Sequence, residues 1–271
     1  MDEQTVVTNL AAAGVSTAEK TARVQEFIMH HVRDGHEWMP FPKVHVLLPD
    51  WLTLGSAMIV FSAVVLLLVA AAAGRRRDPV PRGLANVVEL FVLFIRDQIS
   101  VPYLGEEDGR RMTPLFCTYF FFILTMNLLG LVPCFAAATA NVSVTGALAS
   151  ITLLLMIFGG MYRTGFVGFF KAFAPHGVPW PVLIMLVPLE ILGLFIKAFA
   201  LTVRLFANIL AGHIVIFSLL GLILIFGYAA LPSMLMAIGI YVLEVLVAVL
   251  QAYIFTLLSA IFIGQRFHPA H

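Results

Sequence analysis

The sequence predicts an all-α polytopic membrane protein, and three properties of its composition support this class. Of the 271 residues, 61% are apolar and only 11% are charged, whereas about 25% are charged in an ordinary soluble domain. The mean hydropathy of +0.99 is too high for a chain that must hide its apolar surface from water. The formal net charge of +1 excludes a basic protein that binds nucleic acid.

The charged residues are concentrated toward the amino-terminal end of the chain. Long uncharged stretches follow, and each can supply the roughly 20 apolar residues that cross a hydrocarbon core of about 30 Å. We therefore expect about five membrane helices and one amphipathic helix in the plane of the membrane. Only six charged residues lie between residues 113 and 265, namely Arg163, Lys171, Glu190, Lys197, Arg204 and Glu244.

Residues 1–50 are predicted to form a polar segment outside the hydrocarbon. Ser16 and Glu19 fit a capping box at the start of a short amphipathic helix. No apolar core of a secretory signal precedes Leu52. The histidines of this segment match no standard spacing of metal ligands, so solvated side chains are favoured over a metal site; they are His30, His31, His36 and His45.

The first membrane helix is predicted at residues 51–74, which carry no charge. Arginines follow it at Arg75, Arg76, Arg77 and Arg82, so the positive-inside rule places that end in the cytoplasm and the amino terminus outside. Residues 75–111 are predicted to form an inner loop and an amphipathic helix. Within them, residues 84–101 alternate between an apolar and a polar face, as in a helix at the inner interface.

A hairpin of two membrane helices is predicted at residues 112–162, with its outer connection near Pro133 and residues 139–145. Cys117 and Cys134 lie in one apolar segment. If that segment is helical, they are about 25 Å apart along its axis and cannot form a disulfide. Residues 163–181 form the next inner loop, because they contain Arg163 and Lys171.

The last predicted element is a long helical hairpin at residues 182–265. Its two arms are separated by the helix-breaking residues 227–232. Its arms, roughly 182–226 and 233–265, would be about 67 and 50 Å long. Both lengths exceed the hydrocarbon thickness, so the arms are either broken or steeply tilted. Residues 266–271 form an inner carboxyl-terminal tail.

The hairpin contains the ionisable residues that are costly in lipid. An arginine at the centre of a membrane helix costs about 2.5–3.5 kcal/mol, so such residues indicate function. Glu190, Lys197 and Arg204 are seven residues apart and share one helical face, which Asn208 extends. An alternative for Glu190 and Lys197 is that they extend to the inner interface.

Residue numbers also predict which levels of the two arms face each other. In an antiparallel hairpin, residues at equal depth have a nearly constant sum of residue numbers. That sum is 455–457 for Arg204 with Gln251, His213 with Glu244, and Glu190 with Arg266. A histidine and a glutamate at one level can pass protons near neutral pH, whereas an arginine cannot release its proton. The residues alone therefore predict a proton-conducting membrane subunit whose partner acid lies on another subunit.

One run of residues resembles the signature of subunit a of the F-type ATP synthase. It is Val203-Arg204-Leu205-Phe206-Ala207-Asn208-Ile209-Leu210-Ala211-Gly212-His213. Further matches are Asn127-Leu128-Leu129-Gly130-Leu131-Val132-Pro133, Asn141 with Thr145, Glu190, and Glu244 with Gln251. The similarity covers most of the chain from about Val44 to Arg266.

The resemblance implies a stator subunit that couples transmembrane proton flow to rotation and ATP synthesis. Arg204 would be the proton gate facing the carboxylates of a rotating ring of c subunits. The outer half-channel would be lined by His213, Glu244, Gln251 and Asn208. The inner half-channel would contain Glu190, and possible helpers are Lys197, Asn127 and Asn141.

The resemblance also implies surroundings for the chain. Its partners would be the c ring, b-type peripheral stalk subunits, the rest of the complex and the lipid bilayer. It implies a bacterial plasma membrane, with the carboxyl terminus in the cytoplasm, and neither a cofactor nor a metal. Two residues depart from common patterns: His213 and Glu244 are exchanged relative to some bacterial members, and Ala198 stands where many members have proline.

Two other classes make different predictions. A secondary transporter would have an internal repeat and its own ion site, and neither is visible in the sequence. A non-conducting scaffold would tolerate replacement of Arg204, Gln251, His213 or Glu244. No nucleotide-binding glycine loop or catalytic triad occurs, so no catalytic residue is expected on this chain. The histidine and glutamate favour protons over sodium ions.

Overall fold

The computed structural model describes residues 37–41, 44–47, 49, 53–74, 83–132, 135–171, 173, 179–226 and 231–267. Several predicted features lie outside these residues. They are the amphipathic helix near residues 16–32, His30, His31, His36, the arginines at 75–77 and 82, Pro133, Cys134, most of the 227–232 breaker, and residues 268–271 of the tail.

A short antiparallel hairpin precedes the first membrane helix, and the sequence analysis did not predict it. Strand β1 (Glu37–Phe41) pairs with β2 (Val44–Leu47). Their composition explains the difference, because Trp38, Phe41, Val44 and Val46 are aromatic or β-branched residues, which favour strands. The hydropathy pattern of so short a segment carries little weight beside the long apolar helices.

The first membrane helix is α1 (Leu54–Gly74), close to the predicted 51–74. The amphipathic segment follows as α2 (Leu84–Phe94), a π-helical turn (Ile95–Ser100) and α3 (Val101–Leu104). Ile95 and Ile99 are fully buried. The exposed Arg96 donates a 2.7 Å hydrogen bond to Asp97 and lowers the pKa of that carboxyl. The buried isoleucines and the Arg96–Asp97 ion pair lie on the apolar and polar faces that the pattern predicts. Ser100 is an exception, because this polar residue is fully buried and donates a hydrogen bond to the Gly109 carbonyl.

The central helices are α4 (Glu106–Leu131) and a run of α5 (Val142–Leu154), a π-helical turn (Leu155–Gly159) and α6 (Gly160–Thr164). A 3-10 turn (Ala138–Ala140) lies between them, and α7 (Phe166–Lys171) follows. Helix α4 begins six residues before the predicted start at 112. Its first turn contains Glu106, Glu107 and Asp108, and acidic side chains stabilise a helix amino terminus.

The last two helices are α8 (Trp180–Phe226) and α9 (Leu231–Phe267), with 47 and 37 residues. Each is a single continuous helix, so the alternative of broken arms is wrong. At 1.5 Å per residue they are about 70 and 55 Å long. In the part of the chain that the structure describes, five helices are long and apolar enough to cross a membrane. The prediction of an all-α polytopic membrane protein is confirmed.

The chain divides into two compact units. The first consists of Met1–Ser62, Thr125–Asn141 and Phe206–Leu250, and the second of Ala63–Leu124, Val142–Leu205 and Gln251–His271. Within the second unit, buried hydroxyls join three helices, since Thr152 Oγ1 lies 3.3 Å from Tyr119 Oη and 3.2 Å from Ser259 Oγ. Such hydrogen bonds hold membrane helices together where the hydrophobic effect does not.

Candidate functional site

A cavity of about 260 Å³ lies between α8 and α9 in the first unit. Most of its lining is apolar, but it also contains a carboxylate and an amide. Water occupies roughly 30 Å³ per molecule, so the cavity has room for several. It is lined by Asn208, Ile209, Ala211, Gly212, Val215, Ile240, Leu243, Glu244 and Val247.

Glu244 lies directly against the backbone of α8. The residue is 7% exposed, and among the described residues neither carboxylate oxygen has a hydrogen-bond partner. A Cβ at Gly212 would overlap Oε1 and Cδ of Glu244. The lack of a side chain at Gly212 therefore leaves room for the Glu244 carboxylate, because any side chain there would displace it.

Asn208 contributes a second unsatisfied polar atom to the cavity. Its Nδ2 is buried and has no hydrogen-bond partner in the described part of the chain. Burying a polar group without a hydrogen bond is unfavourable, and a cavity of this size that contains polar groups lets water supply the missing bonds. The amide donor of Asn208 and the carboxylate acceptor of Glu244 therefore make this cavity suited to hydration.

His213 is half-buried, and each of its ring nitrogens lies within hydrogen-bond distance of a backbone carbonyl. Its Nδ1 lies 2.9 Å from the Ile209 carbonyl and its Nε2 lies 3.0 Å from the Gly130 carbonyl. A carbonyl oxygen only accepts, so a ring protonated on both nitrogens donates both hydrogen bonds and a neutral ring donates one.

The structure brings His213 and Glu244 to the same level without a direct hydrogen bond. Glu244 packs against Gly212, the residue before His213, whereas both ring nitrogens of His213 point at carbonyls. A proton relay between the two side chains stays a prediction, and its proton would have to cross an intervening group such as water.

Asn127, near the end of α4, forms hydrogen bonds with residues outside that helix. Asn127 is 1% exposed; its Oδ1 accepts from Thr139 at 2.9 Å and its Nδ2 lies 3.5 Å from the Ala248 carbonyl. At Gly130, a Cβ would come within 2.9 Å of Ala137 Cβ, so glycine permits this close approach. Asn141 donates its backbone N–H to the Ala138 carbonyl at 3.2 Å.

Two residues of this region were not singled out by the sequence analysis. Tyr241 Oη donates to the Leu131 carbonyl at 3.0 Å, and Gly212 makes room for Glu244. Gly212 lies within the recognised run, so its small size was a visible signal. Tyr241 gave only a weak signal, because a tyrosine near the end of an apolar helix is common.

In the second unit, Arg204 is an exposed residue of α8. It forms no ion pair with any acid among the described residues. Gln251 is buried on α9, and no hydrogen bond joins it to Arg204 in the described structure. Two large apolar residues close to Arg204 in the sequence of α8, Phe199 and Val203, are also exposed.

Glu190 and Lys197 both interact with side chains at the carboxyl-terminal end of α9. Arg266 Nη2 lies 3.3 Å from Glu190 Oε1, and the guanidinium also stacks 4.7 Å from the centre of the Phe173 ring. Lys197 Nζ donates to Gln265 Oε1 at 2.7 Å. Their residue numbers predict that Arg266 lies at the level of Glu190, and the two form an ion pair in the structure. Arg266 is 8% exposed, so Glu190 compensates a buried charge.

The described residues contain no group of three or more histidine, cysteine, aspartate or glutamate side chains that could hold a metal ion.

Residues 56–264 match the protein family described as ATP synthase A chain. The chain belongs to this family. The match covers most of the chain, including all of α8 and nearly all of α9, and it confirms the resemblance drawn from the run between Val203 and His213.

Individual members of the ATP synthase A chain family are also similar. A protein named ATP synthase subunit a from Anaeromyxobacter dehalogenans is 45% identical over 263 residues, covering 88% of this chain and 68% of that protein. Its counterpart from an Anaeromyxobacter species is 49% identical over 229 residues, covering 83% and 54%. One from Myxococcus xanthus is 49% identical over 195 residues, covering 71% and 64%. This chain thus spans about half to two thirds of their lengths.

Proposed function

We propose that this chain is the stator subunit of the membrane sector of a rotary ATP synthase. It provides two proton half-channels, to and from the carboxylates of a rotating c ring, separated by Arg204. Proton flow through them drives rotation and ATP synthesis, while catalysis takes place on other subunits. Membership of the ATP synthase A chain family and the names of the relatives support this role.

The observation that carries the proposal is the position of Arg204. It is exposed on a largely apolar helix, and no described acid pairs with it. An arginine in this setting costs several kcal/mol unless an anion or water compensates it. A carboxylate on a neighbouring subunit supplies that anion, and Arg204 keeps it ionised because an opposite charge nearby lowers a carboxyl pKa. Arg204 itself never releases its proton, so it blocks direct passage between the half-channels.

The outer half-channel is assigned to the first unit. Its cavity contains the unpartnered carboxylate of Glu244 and the unpartnered amide of Asn208. His213 directly follows Gly212 of the cavity lining, and Gln251, the first residue of α9 in the second unit, follows Glu244 by two turns. Acidic and imidazole groups next to a hydrated cavity can take up and release protons.

The inner half-channel is assigned to Glu190 and its surroundings in the second unit. Glu190 is a partly exposed carboxylate held by Arg266, so it is fixed in position while one side remains open. Lys197, bonded to Gln265, adds a second fixed positive charge. The open side of the Glu190 carboxylate can accept hydrogen bonds from water, which suits a path that receives released protons.

The remaining partners follow from the same role. The exposed apolar faces of α8 and α9 lie against the c ring and lipid, and b-type stalk subunits hold the chain stationary. We place the chain in a bacterial plasma membrane, with its amino terminus outside and its carboxyl terminus in the cytoplasm. Asn127 and Asn141 act as supports around the end of α4.

The test is ATP-driven proton pumping by the whole complex with Arg204→Ala. Pumping should be abolished, whereas Arg110→Ala, which removes an exposed arginine paired with Glu106, should leave it intact. Pumping equal to wild type in Arg204→Ala would favour a non-conducting scaffold. Proton transport by this chain reconstituted without other subunits would favour a self-contained transporter.

A further inference from the structure

The carboxyl-terminal end of α4 is anchored by one side chain from each long helix. The last carbonyls of a helix have no partner within it, and α4 ends at Leu131. His213 of α8 bonds the Gly130 carbonyl at 3.0 Å, and Tyr241 of α9 bonds the Leu131 carbonyl at 3.0 Å. We call this arrangement, formed by Gly130, Leu131, His213 and Tyr241, the α4 cap.

The α4 cap lies next to the contact between Glu244 and Gly212. Tyr241 precedes Glu244 by three residues, so the two lie about one turn apart on neighbouring positions of α9. His213 directly follows Gly212 on α8. Two consecutive carbonyls of α4 therefore fix α8 and α9 within one turn of the place where the Glu244 carboxylate meets the α8 backbone.

From this geometry we propose that Tyr241 is a positioning residue for proton entry, which holds α9 so that Glu244 faces the cavity at Gly212. The proposal rests on the proposed function of that cavity. Tyr241 acts through its hydroxyl, since the residue is 38% exposed and adds little to the core. The hydroxyl hydrogen is donated to a carbonyl, which cannot carry a proton onward, so Tyr241 orients Glu244 and does not conduct.

The test compares Tyr241→Phe with Tyr253→Phe in the complete complex. Tyr253 lies on the same helix, its ring contacts Phe94, and its hydroxyl has no hydrogen bond to a described residue. ATP synthesis is driven in proteoliposomes by acid in the compartment facing the outer half-channel. The rate is recorded against proton concentration on that side, and then on the opposite side.

Tyr241→Phe should raise the outer proton concentration for half-maximal synthesis by about two- to tenfold, the effect of losing one hydrogen bond. The dependence on the inner side should not change, and Tyr253→Phe should match wild type. A half-maximal concentration does not depend on the amount of complex, so the result stands even if Tyr241→Phe assembles less well. An unchanged outer dependence, or an equal shift on both sides, would overturn the proposal.

A third variant separates this idea from the proposed function itself. Glu244→Gln removes the carboxylate that Tyr241 is said to orient. If Glu244→Gln keeps the wild-type outer dependence, the assignment of the cavity to proton entry is wrong. If Glu244→Gln loses that dependence but Tyr241→Phe does not, the cavity stands and only the positioning role of Tyr241 fails.

Discussion

Substitution of Gly212 by alanine tests the contact that places Glu244. The new methyl group would overlap the Glu244 carboxylate. Restoring an ordinary separation of roughly 3.5 Å requires the carboxylate to retreat by about 2 Å. Because no hydrogen bond from the described residues holds Glu244, we expect its side chain to move into the neighbouring cavity while the helices stay in place.

The expected loss follows from that displacement. A misplacement of about 1 Å in a reacting group can cost about 100-fold in rate, so ATP-driven proton pumping should fall by about 10- to 100-fold. Overpacking itself costs about 1–3 kcal/mol, which the assembled complex should tolerate. The effect is therefore on transport more than on the amount of complex in the membrane.

The assay is quenching of a pH-sensitive dye in inverted membrane vesicles, normalised to assembled complex by immunoblot. Gly193→Ala on α8 and Gly239→Ala on α9 are the controls, because a Cβ at either position meets no described atom within 4 Å. Adding Glu244→Asp to Gly212→Ala should restore part of the pumping, since the shorter side chain withdraws the carboxylate from the new methyl group. Pumping by Gly212→Ala equal to that of the controls would refute the role assigned to this contact.

The remaining predictions concern the two pairs of polar residues. Exchanging His213 and Glu244 should preserve more ATP-driven pumping than either single substitution, because both side chains lie at one level beside Gly212; losses that simply add would contradict a relay. Glu190→Gln should lower the thermal stability of the membrane sector by roughly 1–3 kcal/mol, because it leaves the buried Arg266 without its carboxylate. Glu190→Gln with Arg266→Gln should be milder in the same thermal assay, and equal melting of wild type and Glu190→Gln would count against the pairing.

Hydropathy and charge predicted the membrane part of the fold well, because length and apolar content alone decide whether a helix crosses lipid. The presence of two long apolar arms and of the amphipathic segment near residues 84–101 follows from such patterns, but the continuity of α8 and α9 does not, because an apolar pattern alone fits a broken arm equally well. The β-hairpin at residues 37–47 did not, since short strands depend on pairing that no single pattern encodes. The start of α4 at Glu106 was also not predicted, because the first turn of this helix is acidic and has the composition of a loop.

The sequence predicted which residues belong to the candidate site and at what depth along the helices they lie. The structure adds the direction in which their side chains point and what they pack against. Counting residue numbers placed Glu190 opposite Arg266, and they form an ion pair. The same counting placed His213 opposite Glu244, but His213 turns toward Gly130. Depth follows from residue number because helices rise uniformly, whereas the direction of a side chain depends on a third helix, and sequence spacing contains no information about it.

The most direct test of the central claim is the passive proton permeability of membranes that contain the complex, measured without ATP. If Arg204 separates two half-channels, Arg204→Ala should abolish pumping and leak protons faster than wild type. Adding Glu244→Gln should reduce that leak, because the leak must pass the outer cavity. Membranes with Arg204→Ala that remain as impermeable as wild type and still pump normally would contradict the account.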